Sequence, residues 1–266
     1  MRAVRTHPVV SGLIGVVALI AVWWIGAALF FQRGDGTGAV PTPPDVVTRL
    51  IEDGWAFYSA NLAVTLGEAG IGYLFGNVLA LLIAAVVLVF PRAETVAMQV
   101  AVVSYCIPIV AIGPIIFIVI GAPKTGEASG TAVVLAGLSV FFTTMVGSVL
   151  GFKSADRASL DLVRAYGGGS FAQLRFVRLR SALPGIFASL QIAAPAAFLG
   201  AILGEYFGGV DVGLGPAMTY AMQNLDAARL WGIALVSGLV AGGAYALIGL
   251  AGRIVNPWVH RERRSA

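Results

Sequence analysis

Six apolar runs, at about residues 9–31, 71–90, 96–121, 131–152, 186–206 and 230–251, dictate what this chain can become. A hydrocarbon core roughly 30 Å thick is crossed by about 20 apolar residues in a helix, and each run approaches that length. The runs are continuous and do not alternate with period two, which selects helices over an outer-membrane barrel. A spanning helix satisfies its own backbone hydrogen bonds in lipid. The expected fold is therefore all-α, a polytopic membrane bundle of about six transmembrane helices. Hydrophobic residues make up 58% of the chain and charged residues 11%, which removes an ordinary soluble domain from consideration. Arg2 and Arg5 precede the first run as they would a signal peptide. That run exceeds the usual signal core and lacks a clear small-x-small cleavage site before Gln32, so it is read as a retained span.

Charge placement sets the orientation. With the N and C termini cytoplasmic, the inner segments hold thirteen of the 17 basic residues, among them Arg92, Lys153, Arg157, Arg164, Arg175, Arg178, Arg180, Arg253, Arg261, Arg263 and Arg264. The outer segments keep Arg33, Arg49, Lys124 and Arg229, together with acids such as Asp35, Asp45, Glu52, Asp53, Glu127, Asp211 and Asp226. This is a positive-inside distribution, and it accounts for the net charge of +4 without nucleic acid. The single cysteine, Cys106, excludes an intramolecular disulfide and a cysteine metal cluster, and is read as packing inside a span.

Between the fourth and fifth runs lies a polar, Arg-rich segment, 153–185, with helix signals of its own. Leu160, Val163 and Tyr166 recur at three-residue spacing and predict one apolar face of a short helix. Arg157, Asp161 and Arg164 fall on another face. Gly167, Gly168 and Gly169 stop that helix, since glycine takes the left-handed conformation readily. Ser170-Phe171-Ala172-Gln173 then reads as a capping box. It opens a second short helix with Phe171, Leu174 and Val177 on one side and Arg175, Arg178 and Arg180 around it. Pro184 is expected to mark the turn into the fifth span. The prediction is two short helices joined by a glycine hinge and exposed to the cytoplasm, a shape suited to docking on another protein. Membrane tethers at both ends exclude a helix-turn-helix role on DNA.

The segment Asp161-Leu162-Val163-Arg164-Ala165-Tyr166-Gly167, with Leu183-Pro184 downstream, resembles the EAA loop of binding-protein-dependent ABC transporter permeases. In that motif an acid opens, a glycine follows six positions later and a Leu-Pro pair closes. Leu162 and Val163 replace the usual two alanines, and Arg180 stands where the motif has its own proline. The second Leu-Pro is a feature of the nitrate/sulfonate/taurine branch. Val40-Pro41-Thr42-Pro43-Pro44-Asp45-Val46-Val47 is similar to that branch's outer proline segment, and Thr65-Leu66-Gly67-Glu68 with Gly72 to the entry of its second span. Residues 108–121 resemble its proline-containing third span. Gly204-Glu205-Tyr206-Phe207-Gly208 with Gly213-Leu214-Gly215 resembles its fifth span and following loop. The likeness runs in order from about residue 41 to 251.

The resemblance implies the transmembrane subunit of an ATP-driven importer, placed as a multi-pass protein of the cell inner membrane. Its implied partners are cytoplasmic ABC ATPase subunits, a second permease copy (identical or related), an extracytoplasmic solute-binding protein and the lipid bilayer. ATP and Mg would be used by the ATPase, with no cofactor on this chain. The coupling residues it implies are Leu160, Asp161, Val163, Arg164, Tyr166, Gly167, Ser170, Phe171, Leu183 and Pro184. Members of the branch move nitrate, sulfonates, taurine or bicarbonate, and near relatives move thiamine precursors or riboflavin. A sulfonate- or nitrate-like small polar solute is the leading expectation, with a vitamin precursor beside it.

Within the spans, the polar residues Ser104, Tyr105, Thr143, Thr144, Ser148 and Gln191 are candidates to line a pathway, each also explicable as an interhelical hydrogen bond. Pro108, Pro114 and Pro195 are candidate kinks or gates. Glu205 is expected near the outer end of its span, where a carboxylate is cheap if it reaches water, and an intramembrane acid is a functional candidate by default. Enzyme classes lack their parts. No G-x-x-x-x-G-K-[ST] loop occurs, and neither Lys124 nor Lys153 follows a glycine. His7 and His260 sit at opposite ends, so no metal or catalytic constellation is expected. The alternatives to an ATP-driven permease are a secondary transporter or channel with a regulatory docking loop, and a structural membrane scaffold.

Overall fold

The computed structural model describes residues 8–30, 40–124 and 127–258. Arg2, Arg5, His7, Phe31, Gln32, Arg33, Asp35, His260, Arg261, Arg263 and Arg264, which enter the readings above, lie outside the described residues. Among those described, the chain is helical and has no strand. Helix α1 is Pro8–Phe30, α2 Pro43–Val89, α3 Glu94–Cys106, α4 Ile109–Ile120 and α5 Gly130–Lys153. Helix α6 is Arg157–Ala165, α7 Ser170–Gln173, α8 Leu179–Phe207, α9 Leu214–Gln223 and α10 Ala227–Val255. Among the described residues, five stretches are long and apolar enough to cross a bilayer, or six if the bent pair α3–α4 counts as one. The fold is the polytopic helical bundle that the apolar runs require.

Three boundaries differ from the apolar runs for local reasons. Helix α2 begins at Pro43, because Asp45 Oδ2 accepts from the Thr42 N–H at 3.0 Å and from its hydroxyl at 2.6 Å, the backward-reaching bond of a capping box. Its charged first turns hide it from a hydropathy reading, and Gly54, at φ +71°, breaks it internally. The third apolar run is not one straight helix: α3 and α4 meet at 93°. Ile107, held extended ahead of Pro108, is the cause, since proline pushes the preceding residue out of helical geometry. Cys106 is exposed at this bend and does not pack in a span interior. The third difference is at Pro184, which makes no turn. From Ser170 the chain stays helical to Phe207, through one π-helical turn, Leu174–Arg178, and past both Pro184 and Pro195. Neighbouring helices in a membrane bundle tolerate the hydrogen bond that proline removes.

Two compact units partition the chain. One takes the described residues of 1–60 and 217–237. There Trp23 stacks on Trp231 at 5.2 Å and donates its indole N–H to the Pro41 carbonyl at 3.1 Å. Arg229 Nε contacts both Asp53 carboxylate oxygens at 3.0 Å, and Arg49 reaches Asp226 at 2.6 Å. Asp226 in turn accepts from the Arg229 N–H at 3.0 Å, capping α10.

The second unit takes 61–216 and the described part of 238–266, and its centre is the α5–α8 pair. Small residues let the two backbones approach. A Cβ added at Gly204 would sit 2.3 Å from Ala132 Cα, and one at Gly151 2.9 Å from the Ala182 carbonyl oxygen. Gly72 and Gly76 do the same for α2 against α5. Membrane helices associate by such close packing, because lipid offers no hydrophobic drive between them. Leu135, Val140 and Met145 are fully enclosed.

Candidate functional site

Helix α6 is a well-terminated rod. Asp156 caps its start, accepting from the Ser159 N–H at 3.1 Å. At its end Gly167 adopts φ +78°, the Gly167 N–H donates to the Arg164 carbonyl at 2.9 Å and the Gly168 N–H to the Val163 carbonyl at 2.8 Å. This paired closure is a Schellman motif. The adjacent glycines have different reasons. Gly167 supplies the left-handed conformation, whereas a Cβ on Gly168 would strike Val163 Cγ1 at 2.5 Å.

The capping box expected at Ser170 does not form. Gly169 is the N-cap, Ser170 is already helical, and no side chain caps this end. Gln173 is buried and donates to the Leu160 carbonyl at 3.1 Å, tying α7 back to α6. The hinge is thus a braced elbow whose second arm is continuous with the long α8 helix. Leu160 and Val163 are half-buried in its inner angle. Tyr166 is 86% exposed and Phe171 73%, and Leu162 and Phe176 are exposed as well. Three-residue spacing had placed Leu160, Val163 and Tyr166 on one face, and Leu162 was missed. Asp161 and Arg164 are 3.5 Å apart and both well exposed, so their pairing adds little stability. Leu183 and Pro184 are half-buried within the continuous arm.

The pathway candidates do not converge. Ser104 bonds to the Ala101 carbonyl of its own helix, and Tyr105 stacks on Phe142 at 4.6 Å. Pro108 lies at the bend and Pro114 is exposed within α4. Thr144 is buried and donates to Asn77. Gln191 lies against Gly249, while Thr143 lines an apolar groove of about 620 Å³ with Pro184 and Ser189.

Glu205 does not reach water: it is 2% exposed, and its Oε2 accepts from the Gly215 N–H at 2.6 Å. Around it lies a buried polar cluster that sequence reasoning missed. Glu68 is 1% exposed and accepts from the Ser129 N–H at 2.6 Å, while Thr65 Oγ1 accepts from the Leu214 N–H at 3.0 Å. The signal was present in the acid at 68. A hydropathy reading, however, starts the second span after that charge. No group of three or more His, Cys, Asp or Glu suited to a metal occurs among the described residues.

Residues 76–265 match the family model for the binding-protein-dependent transport system inner membrane component. The chain belongs to that family. The permease is 27% identical over 260 residues to the formylaminopyrimidine transport permease protein ThiX of Halalkalibacterium halodurans, covering 97% of this chain and 99% of that one. It is 30% identical over 197 residues to a probable ABC transporter permease of Haemophilus influenzae, covering 74% and 77%. With the riboflavin transport system permease protein RibX of Chloroflexus aurantiacus it shares 28% over 155 residues, 58% and 56% of the two chains. A crystal structure of an amino acid ABC transporter with histidines has the same fold. Its TM-score is 0.52 at 16% identity, covering 79% of the permease and 94% of that chain. The permease is a multi-pass membrane protein of ABC transport.

Proposed function

We propose that this permease forms the translocation pathway for a small heterocyclic vitamin precursor, with a separate cytoplasmic ATPase driving it through the α6–α7 elbow. A likeness spanning nearly the whole of a formylaminopyrimidine permease supports that solute class over a sulfonate or nitrate. The observation that carries the coupling is the exposed aromatic rim, Tyr166 and Phe171, mounted on a capped and braced elbow. A rim left open to water on a capped and braced finger suits a partner surface, since large exposed apolar side chains in clusters mark interaction sites. The bracing matters mechanically. A push on α6 passes through the Gln173–Leu160 bond into an arm that runs unbroken along α8. A second permease copy and an external solute-binding protein complete the proposed assembly, with N and C termini on the ATPase side.

Burying an aromatic side chain contributes about 1.5–3 kcal/mol, and about 1.4 kcal/mol is tenfold in affinity. Tyr166→Ala with Phe171→Ala is therefore expected to weaken ATPase capture at least tenfold, after ordering costs. ATP-dependent uptake of formylaminopyrimidine into proteoliposomes should fall with it, while the variant's thermal unfolding stays unchanged. Full uptake by the double variant would sink the coupling role. Uptake without any ATPase would favour a secondary transporter.

A further inference from the structure

Thr65, three residues before Glu68, accepts from the Leu214 N–H, and Glu205 accepts from the next one along, the Gly215 N–H, which brings the buried Glu68 and Glu205 side chains into one place inside the second unit. Each spends one oxygen on a backbone N–H, Glu68 Oε1 on Ser129 and Glu205 Oε2 on Gly215. The other two oxygens, Glu68 Oε2 and Glu205 Oε1, are fully enclosed and meet no donor. Thr65 stands beside Glu205, but its hydroxyl donates to the Asn61 carbonyl at 3.2 Å. An ionised carboxylate only accepts hydrogen bonds. Two ionised carboxylates in this position would repel one another and leave two buried acceptors unsatisfied, which is costly. One proton removes both problems, since a carboxyl donates to its carboxylate neighbour.

Among the described residues, no arginine or lysine forms an ion pair with either carboxyl. Tyr206 is the titratable neighbour of Glu205 on α8. A cavity of about 500 Å³ reaches Glu68, lined also by Gly67, Lys124, Glu127 and Asp211. Lys124, Glu127 and Asp211 are exposed at its rim, and the acids outnumber the base. Lys124 makes no ion pair with Glu68 among the described residues. Gly213 and Gly215 have been kept clear for the pair, because a Cβ on either would come within 2.7 Å of Glu205 atoms.

We propose that Glu68 and Glu205 form one proton-binding site, a carboxyl–carboxylate pair that holds a single shared proton and exchanges it with water through this cavity. The proton closes a buried ring. It links α2 to α8, and through the two accepted N–H groups it holds the starts of α5 and α9. Its loss would place two negative charges at the junction of four helices.

The test is infrared spectroscopy on the full-length permease in lipid nanodiscs at neutral pH, which needs neither solute nor ATPase and is independent of the transport reading. The expected result is a protonated-carboxyl C=O band with the area of one group per chain, shifting on transfer to D2O. The band should vanish in both Glu68→Gln and Glu205→Gln, where the introduced amide donates to the remaining, ionised carboxylate. A wild-type band worth none or two groups overturns the proposal, as does a band that survives in either variant. A band that fails to shift in D2O overturns the exchange route. Should a Gln variant not fold, the wild-type band area and its D2O shift decide alone.

Discussion

Gly204→Leu is expected to abolish the folded permease, and Gly204→Ala to cost about 3 kcal/mol, near the upper end of ordinary overpacking. The atoms in the way are backbone. A Cβ at this position would lie 2.3 Å from Ala132 Cα and 2.8 Å from Ala132 N, so no side-chain rotation relieves the clash. The helices must separate, and separation loses the contacts around Leu135 and Ala201, both fully enclosed. Glu205 is the next residue, so the same shift pulls its carboxylate away from the Gly215 N–H. Gly243→Ala is the matched control. It has open space around it and should be neutral or slightly stabilising, because alanine is the better helix former by about 1 kcal/mol. Monodispersity on size exclusion and thermal unfolding in detergent read both variants. A monodisperse Gly204→Leu protein that melts like wild type would remove the α5–α8 approach as the organiser of this unit.

The fold class was legible because apolar length is a direct physical requirement of the bilayer, and that requirement acts on each run separately. Boundaries were less legible wherever charge and helix coincide. Arg49, Glu52 and Asp53 all lie on helix α2, yet their charge reads as a loop in hydropathy. The bend at Pro108 was signalled by the proline. Its size was not, since Pro114, Pro184 and Pro195 sit inside helices that continue. What separates Pro108 from the others is the extended Ile107 before it, a backbone choice that composition does not encode.

The candidate site shows the same division. The terminating role of Gly167 followed from local chemistry alone, and the structure gives it the expected left-handed φ. The Ser170–Gln173 capping box had equally good local chemistry and lost to a tertiary bond, because Gln173 found the Leu160 carbonyl thirteen positions back. Glu68 and Glu205 are 137 positions apart in sequence. Only packing reveals that two isolated acids share one buried place. Sequence periodicity sees a helix face, whereas pairing across helices depends on rotation and register that small residues such as Gly72 and Gly204 set.

Arg229→Leu is expected to destabilise the first unit by about 3 kcal/mol, the lower end of the range for breaking a buried ion pair. Asp53 is 2% exposed at its side chain, and Arg229 meets both its carboxylate oxygens. Removing that guanidinium leaves a buried carboxylate with Arg49 Nε at 3.6 Å and the Tyr58 hydroxyl at 3.4 Å. Those residual partners hold the loss near the lower bound. Arg229→Lys should recover part of the stability and not all of it, since an ammonium cannot offer the two-pronged geometry. The double change Asp53→Leu with Arg229→Leu should be far milder than the single one, because no uncompensated charge remains. The coupling energy from this double-mutant cycle, read by thermal unfolding, should be large and should persist in high salt, as enclosed charges are weakly screened. Additive losses, or a coupling that disappears in salt, would show that water reaches Asp53 and that the pair does not hold the start of α10 to α2.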